Sequence, residues 1–345
     1  MMEKNKRILV IRGIMLFFVG VFFFQQAKAQ DVPMHTQGLL LQEFLNPAYN
    51  SFKENISISM YNRAQWGNKF RYSPETYAGN IYLPIKKTRF GANIKVIVED
   101  IGLRNTTEFS TGFCNNVSIS EKVHLAFGYT VGFLQSSLNK NEIICYPDED
   151  LSFLLGQSDL NSVHATASIG LNLYTDIWHL GLSSMTASLG KDKDDSQYLP
   201  GFDFAVGAKF KLSPYMEFRP EFIMKYYNEK SYSANNGVIF KSENMPKVYD
   251  LAANFILRDK VWLGTSHRFR QAQTFTLDMK VLSNMRVGYI FELGIGDGLN
   301  QFNSHGLRLA YEIINLKSHN KESKSKSALN RIDSAKLKST ASIAF

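Results

Sequence analysis

The chain has 345 residues, 44% hydrophobic and 13% aromatic (26 Phe, 16 Tyr), with a formal net charge of +8. That length is ample for one large or two medium domains, but the charge sits at the ends. Residues 1–29 carry five Lys/Arg against one Glu and residues 317–345 carry seven against two, leaving 27 basic and 28 acidic residues between. A nucleic-acid binder needs a basic patch on the folded body, and none is evident.

Residues 1–29 read as a secretory signal peptide. Lys4, Lys6, Arg7 and Arg12 make a basic start, Ile14–Phe24 an apolar middle, and Ala27-Lys28-Ala29 an A-x-A cleavage site before Gln30. Residues 30–55 contain Pro33, Asn46 and Pro47 without a sustained periodicity, and are expected to be a periplasmic lead-in or a plug.

From residue 56 the chain alternates with a period of two, the signature of β-strands. Fourteen strands are expected: 56–66, 75–83, 89–98, 107–119, 122–134, 163–174, 177–183, 202–212, 215–226, 247–257, 260–268, 273–280, 284–293 and 306–315. In the fifth, Leu125, Phe127, Tyr129, Val131 and Phe133 alternate with Ala126, Gly128, Thr130 and Gly132. One face is bulky and apolar; the other is small enough to leave room for something else. Pro220 falls on the apolar face of the ninth strand, where a missing ladder donor suggests a bulge.

Alternation also suits a soluble β-sandwich; the connections discriminate. Ser120-Glu121, Thr175-Asp176, Ser213-Pro214, Asp259 and Leu282-Ser283 are short, while 67–74, 99–106, 135–162, 184–201, 227–246 and 294–305 are long. Short turns at one end and long loops at the other describe an outer-membrane barrel with its turns in the periplasm. The fold class is therefore an all-β, closed antiparallel transmembrane β-barrel of about fourteen strands spanning residues 56–316. Its bulky face meets lipid, and Trp178 with Leu180 and Leu182 suits an aromatic girdle. Residues 317–345, rich in Ser and Lys, read as a flexible basic periplasmic tail.

No G-x-S-x-G, H-E-x-x-H or C-x-x-C motif occurs, so no catalytic, cofactor or metal residue is assigned and the protein is not expected to be an enzyme. Gly294–Gly298 precedes a strand and reads as a loop tip. Asp192, Asp194 and Asp195 lack the glycine and closing Glu of a Ca²⁺ loop and read as a solvated loop. His164 reads as an interior histidine, and Cys114 and Cys145 as unpaired. The small face is more informative. Arg63, Asp203, Lys209, Glu217, Arg219, Glu221, Lys225, Asp250, Arg268, Asp278, Lys280, Arg286, Glu292, Arg308 and Glu312 all fall on it. Near-equal numbers of both signs indicate a cross-linked interior, or a polar cavity that receives a segment of a partner chain. A selective pore would favour one sign.

Asn46-Pro47-Ala48 within Phe44–Tyr49, Arg63-Ala64-Gln65-Trp66, Glu99-Asp100-Ile101-Gly102 and Ser304-His305-Gly306 occur in this order. The set resembles the PorP/SprF family of Bacteroidota outer-membrane proteins over most of residues 30–316; the tail from Lys317 departs from that pattern. The resemblance implies a non-enzymatic component of type IX secretion and gliding motility. It would dock, anchor or help export a large adhesin-like surface protein, in contact with periplasmic parts of the same machine. Glu217, Arg219, Glu221, Lys225, Arg268, Arg286, Glu292, Arg308 and Glu312 are the lumen charges expected to meet a partner. The alternative is a porin-like or FadL-like transport barrel for small solutes, and a third reading is an exported β-sandwich adhesin.

Overall fold

The computed structural model describes residues 38–68, 70, 73–85, 88–138, 161–184, 187–188, 201–226, 232–233, 239–240, 247–296 and 301–313. Among the described residues the one α-helix, α1 (Gly38–Leu45), is followed by a 3-10 turn at Tyr49–Phe52. The wall begins with β1 (Ile56–Ala64), β2 (Glu75–Pro84), β3 (Phe90–Ile101), β4 (Arg104–Ser118), β5 (His124–Leu138), β6 (Asn161–Tyr174) and β7 (Trp178–Ser184). It continues with β8 (Phe202–Ala208, resumed at Phe210–Ser213), β9 (Met216–Tyr226), β10 (Val248–Leu257), β11 (Val261–Arg268), β12 (Ala272–Leu282), β13 (Met285–Gly294) and β14 (Ser304–Ile313). Each pairs antiparallel with its neighbours, and β14 pairs with β1 from Ile56↔Ile313 to Ala64↔His305, closing a fourteen-stranded barrel.

Closure and alternation explain each other. A hydrocarbon layer offers no partner for backbone N–H and C=O groups, so a sheet survives there only without edges. Phe127, Tyr129, Val131 and Phe133 of β5 are exposed on the outside, whereas Ala126, Gly128 and Thr130 are buried within. The outer surface continues through Leu171, Leu180, Phe255, Phe275 and Leu309. Trp178 lies on this face just past the Thr175-Asp176 turn, beside Leu180 and Leu182. Among the described residues no helix is long and apolar enough to cross a membrane; the strands do the crossing. Because the strand number is even, Ile56 and Ile313 lie side by side at one rim, the end of the short turns.

Several local expectations need correction. Residues 99–106 are not a long loop: β3 and β4 pair as far as Ile101↔Arg104 around Gly102-Leu103. Gly102 supplies the φ of +64° that this reversal requires. β1 ends at Ala64, because Trp66 (φ 54°) and Gly67 (φ 58°) turn the chain aside. Pro220 produces no bulge. Its register with β10 runs unbroken through Pro220↔Ala253, and the lost donor appears as an interruption of β8 at Lys209. Two small features lie off the wall: Ala187–Ser188 pairs with β6, and Tyr232–Ser233 pairs with Ile239–Phe240. Cys114 is buried on the inner face of β4; Cys145, Asp192, Asp194, Asp195 and the 317–345 tail lie outside the described residues.

Candidate functional site

The barrel interior is occupied by the chain's own residues 38–52. α1 forms because Leu40, Leu41 and Phe44 share one side, and that side packs on Tyr61, Ala78, Ile97 and Ile290 of the inner wall, with Trp262 beside them. Asn46 N–H donates to the Gln42 carbonyl at 2.9 Å, and Pro47 then stops the helix. The Asn46 side chain holds the turn in two directions. Its Oδ1 accepts the Ala48 N–H at 2.9 Å, and its Nδ2 donates to the Leu171 carbonyl of β6 at 3.1 Å. Phe52 finishes the segment against Tyr174, with ring centroids 4.3 Å apart.

The small inner faces of β5 and β6 now have a cause. A Cβ on Gly128 would lie 2.5 Å from the Pro47 carbonyl carbon, and one on Gly170 would lie 2.1 Å from Asn46 Oδ1. No side chain fits at either position while Asn46-Pro47-Ala48 stays in place. Ala126 packs with Ala48 beside them.

Polar contacts fasten the segment on other sides. Gln42 hydrogen-bonds Glu221 of β9, which is also 3.3 Å from His179. Glu43 pairs with Lys53 and lies 3.5 Å from Arg308 of β14. Burial works against the Glu43 carboxylate, but the charges of Lys53 and Arg308 outweigh it and hold its pKa below the ordinary 4.5.

The remaining lumen charges form two groups. Toward the outer end, Arg63 meets Glu292 at 2.6 Å, Arg268 meets Glu292 at 3.6 Å and Asp250 at 3.8 Å, and Lys225 stands opposite Asp203 across β8 and β9. Toward the turns, the fully buried Asp278 takes Arg286 at 2.5 Å and Arg308 at 3.1 Å. Arg286 and Arg219 lie 4.6 and 5.4 Å from the Trp262 ring centroid. Arg219 pairs with Glu217 at 3.0 Å, and Lys209 with Glu217 at 3.6 Å. Buried charges persist only when paired, and ion pairs cross-link each of these two groups.

The structure brings together Glu217, Arg219, Glu221, Lys225, Arg268, Arg286, Glu292 and Arg308 in the lumen, as their alternation required. Glu312 departs: it is exposed at the turn-end rim, where the last residues of β14 leave the enclosed interior, and Lys280 is likewise exposed there. The motif residues fall in three places, of which residues 99–102 are the end of β3 and its reversal into β4. Asn46, Pro47 and Ala48 form the buried turn just described. Arg63, Gln65, Trp66, Ser304 and His305 meet at the outer end of the β1–β14 seam, where the Trp66 N–H donates to Ser304 Oγ at 3.4 Å. His164 is buried in the interior. Sequence reasoning missed Glu43, Lys95, Glu99 and Glu108. Lys95 and Glu99 share the inner register of β3 with Asn93 and Ile97, so alternation would have found them; Lys95 pairs with Glu108 at 3.0 Å. Nothing local marks Glu43. Among the described residues no group of His, Cys, Asp or Glu is arranged to hold a metal.

A closed barrel with an apolar outer belt, a charged interior and its own N-terminal segment inside defines an outer-membrane β-barrel protein. The chain belongs to the PorP/SprF family: the model of the type IX secretion system membrane protein PorP/SprF matches residues 27–311. No curated protein matches. Among solved structures, the chain is similar to the Pseudomonas putida toluene transporter TodX (11% identity, 81% of this chain and 94% of that one, TM-score 0.46). It is also similar to the CymD monoaromatic hydrocarbon channel (9%, 79% and 91%, 0.43) and the KdgM porin (10%, 75% and 99%, 0.36). These are all barrels, and the architecture here stands on its own strand pairing.

Proposed function

We propose that the protein is a non-enzymatic docking barrel of type IX secretion, which holds or helps export a large adhesin-like surface protein and serves gliding motility. The observation that carries this reading is the occupied lumen: residues 38–52 act as a plug fixed to β5, β6, β9 and β14. A solute channel needs a continuous path, whereas a docking platform needs a rigid wall. The ion pairs from Arg63 to Asp250 and from Arg308 to Asp278 supply that rigidity.

Glu221 and Arg308 are engaged in holding the plug, so partner contact falls to the outer-end group, Arg268, Glu292 and Lys225, and to the seam residues Trp66 and His305. Periplasmic components of the machine would meet the turn-end rim and the 317–345 tail, after the 1–29 signal has been removed. Deleting the gene and comparing surface proteins by mass spectrometry tests the proposal. Loss of one large surface protein, with unchanged solute uptake, is the expected result; altered uptake with an intact surface proteome would establish the transport alternative instead.

A further inference from the structure

The turn end of β8–β14 holds more positive charge than its carboxylates balance. On the inner face each carboxylate serves two cations. Glu217 takes Arg219 at 3.0 Å and Lys209 at 3.6 Å, and Asp278 takes Arg286 at 2.5 Å and Arg308 at 3.1 Å. Glu43 of α1 also reaches Arg308, but Lys53 shares it. Arg286 keeps its Nη2 without an acceptor among the described residues, and its guanidinium lies 4.6 Å from the half-buried Trp262 ring. At the rim the excess continues: Lys211, Arg258, Lys260 and Lys280 are exposed against Asp259 and Glu312. Eight cations thus stand against four carboxylates on these strands, although the chain between the signal and the tail carries 27 basic and 28 acidic residues.

Few occupants answer this field. The inner cations sit on the lumen side of the wall, beyond the reach of lipid head groups. The 317–345 tail, with seven Lys/Arg against two acids, is repelled. Lys211, Lys260 and Lys280 are spread from β8 to β12, about 19 Å at 4.8 Å per strand, too far apart for one phosphate to bridge. An extended chain of about six residues covers that span.

We propose that the turn-end mouth over β8–β13 receives an extended acidic segment of a periplasmic protein, whose carboxylates meet Lys211, Lys260 and Lys280 at the rim and Arg286 within. The proposal deepens the docking reading and rests on it for the partner being a protein.

The test offers deca-glutamate, with deca-glutamine as control, to the full-length barrel in phosphatidylcholine nanodiscs. The expected result is binding of deca-glutamate alone, weakened by salt, with a change in tryptophan emission that disappears in Trp262→Phe. Affinity should fall at least tenfold in a Lys211→Gln, Lys260→Gln, Lys280→Gln variant, which leaves the interior ion pairs intact. It should fall several-fold in Arg286→Gln, which leaves Asp278 to Arg308. Deca-glutamine bound as firmly as deca-glutamate, or undiminished affinity in the triple variant, overturns the assignment. If Arg286→Gln loses the heat-modifiable band of a folded barrel, the triple variant decides. Phosphatidylglycerol should be retained through delipidation equally by the parent and the triple variant; a parent that holds it tenfold more firmly assigns the rim to head groups and overturns the proposal. Absent peptide binding beside loss of a surface protein on gene deletion overturns the acidic segment alone, whereas an unchanged surface proteome overturns the docking reading whether or not the peptide binds.

Discussion

Gly128→Val tests the seating of the lumen segment. The Cβ would stand 2.5–2.6 Å from Pro47 C and O and Ala48 N, all backbone atoms of the 46–48 turn. Because these are not the far end of a flexible side chain, the turn must move by roughly 1 Å to restore ordinary contact. Overpacking of this kind costs about 1–3 kcal/mol, and the displaced Asn46 amide loses its Leu171 bond, worth about 1 kcal/mol. At 1.4 kcal/mol per tenfold, the unseated population should rise about thirty- to several-hundred-fold. Single-channel recording in planar bilayers reads this directly: rare openings in the parent protein and frequent ones in Gly128→Val. Gly79→Ala is the control, because a Cβ there meets nothing within 4 Å, and its openings should match the parent's. Equal opening frequencies in all three proteins would refute the reasoning that small residues exist to seat Asn46-Pro47-Ala48.

Asp278→Ala leaves Arg308 with Glu43 alone and takes from Arg286 its carboxylate partner, and should destabilise the barrel by up to about 3–5 kcal/mol, read as a lower temperature for loss of the folded band on a denaturing gel. Phe127→Arg places a charge in the lipid-facing belt and should cost about 2–4 kcal/mol if it lies near the midplane, measured by urea unfolding in vesicles; a value near zero would remove Phe127 from the hydrocarbon. Glu43 has a folded pKa below 4.5, so its ion pairs stabilise the seated segment above that pH and are lost as pH falls below it. Hydrogen exchange of residues 40–50 should therefore quicken under acid in the parent protein, and Glu43→Gln should exchange faster at neutral pH with less further change on acidification.

The fourteen strands were legible because a membrane barrel writes its two environments into every second residue, as the Phe127/Gly128 alternation shows. Reading weakened wherever that contrast disappears. Residues 99–106 looked like a loop because strands that rise beyond the hydrocarbon no longer need an apolar face, and Glu99-Asp100 and Arg104-Asn105 are polar on both. Pro220 announced a disturbance, but whether the sheet answers a missing donor with a bulge or with an interruption of the neighbouring strand depends on the packing of β8, which no local pattern encodes.

By itself, the amino-acid order determined the barrel, its strand number, the direction of each face and the crowd of lumen charges, since all of these follow from period-two sorting between lipid and interior. Only the tertiary structure decided who sits inside. Glycines at 128 and 170 announce a vacancy but not its occupant, and Gln42, Glu43 and Asn46 meet Glu221, Arg308 and Leu171 across more than a hundred residues of chain. Contacts of that span exist only once the sheet has closed, because closure is what brings β6, β9 and β14 around one axis.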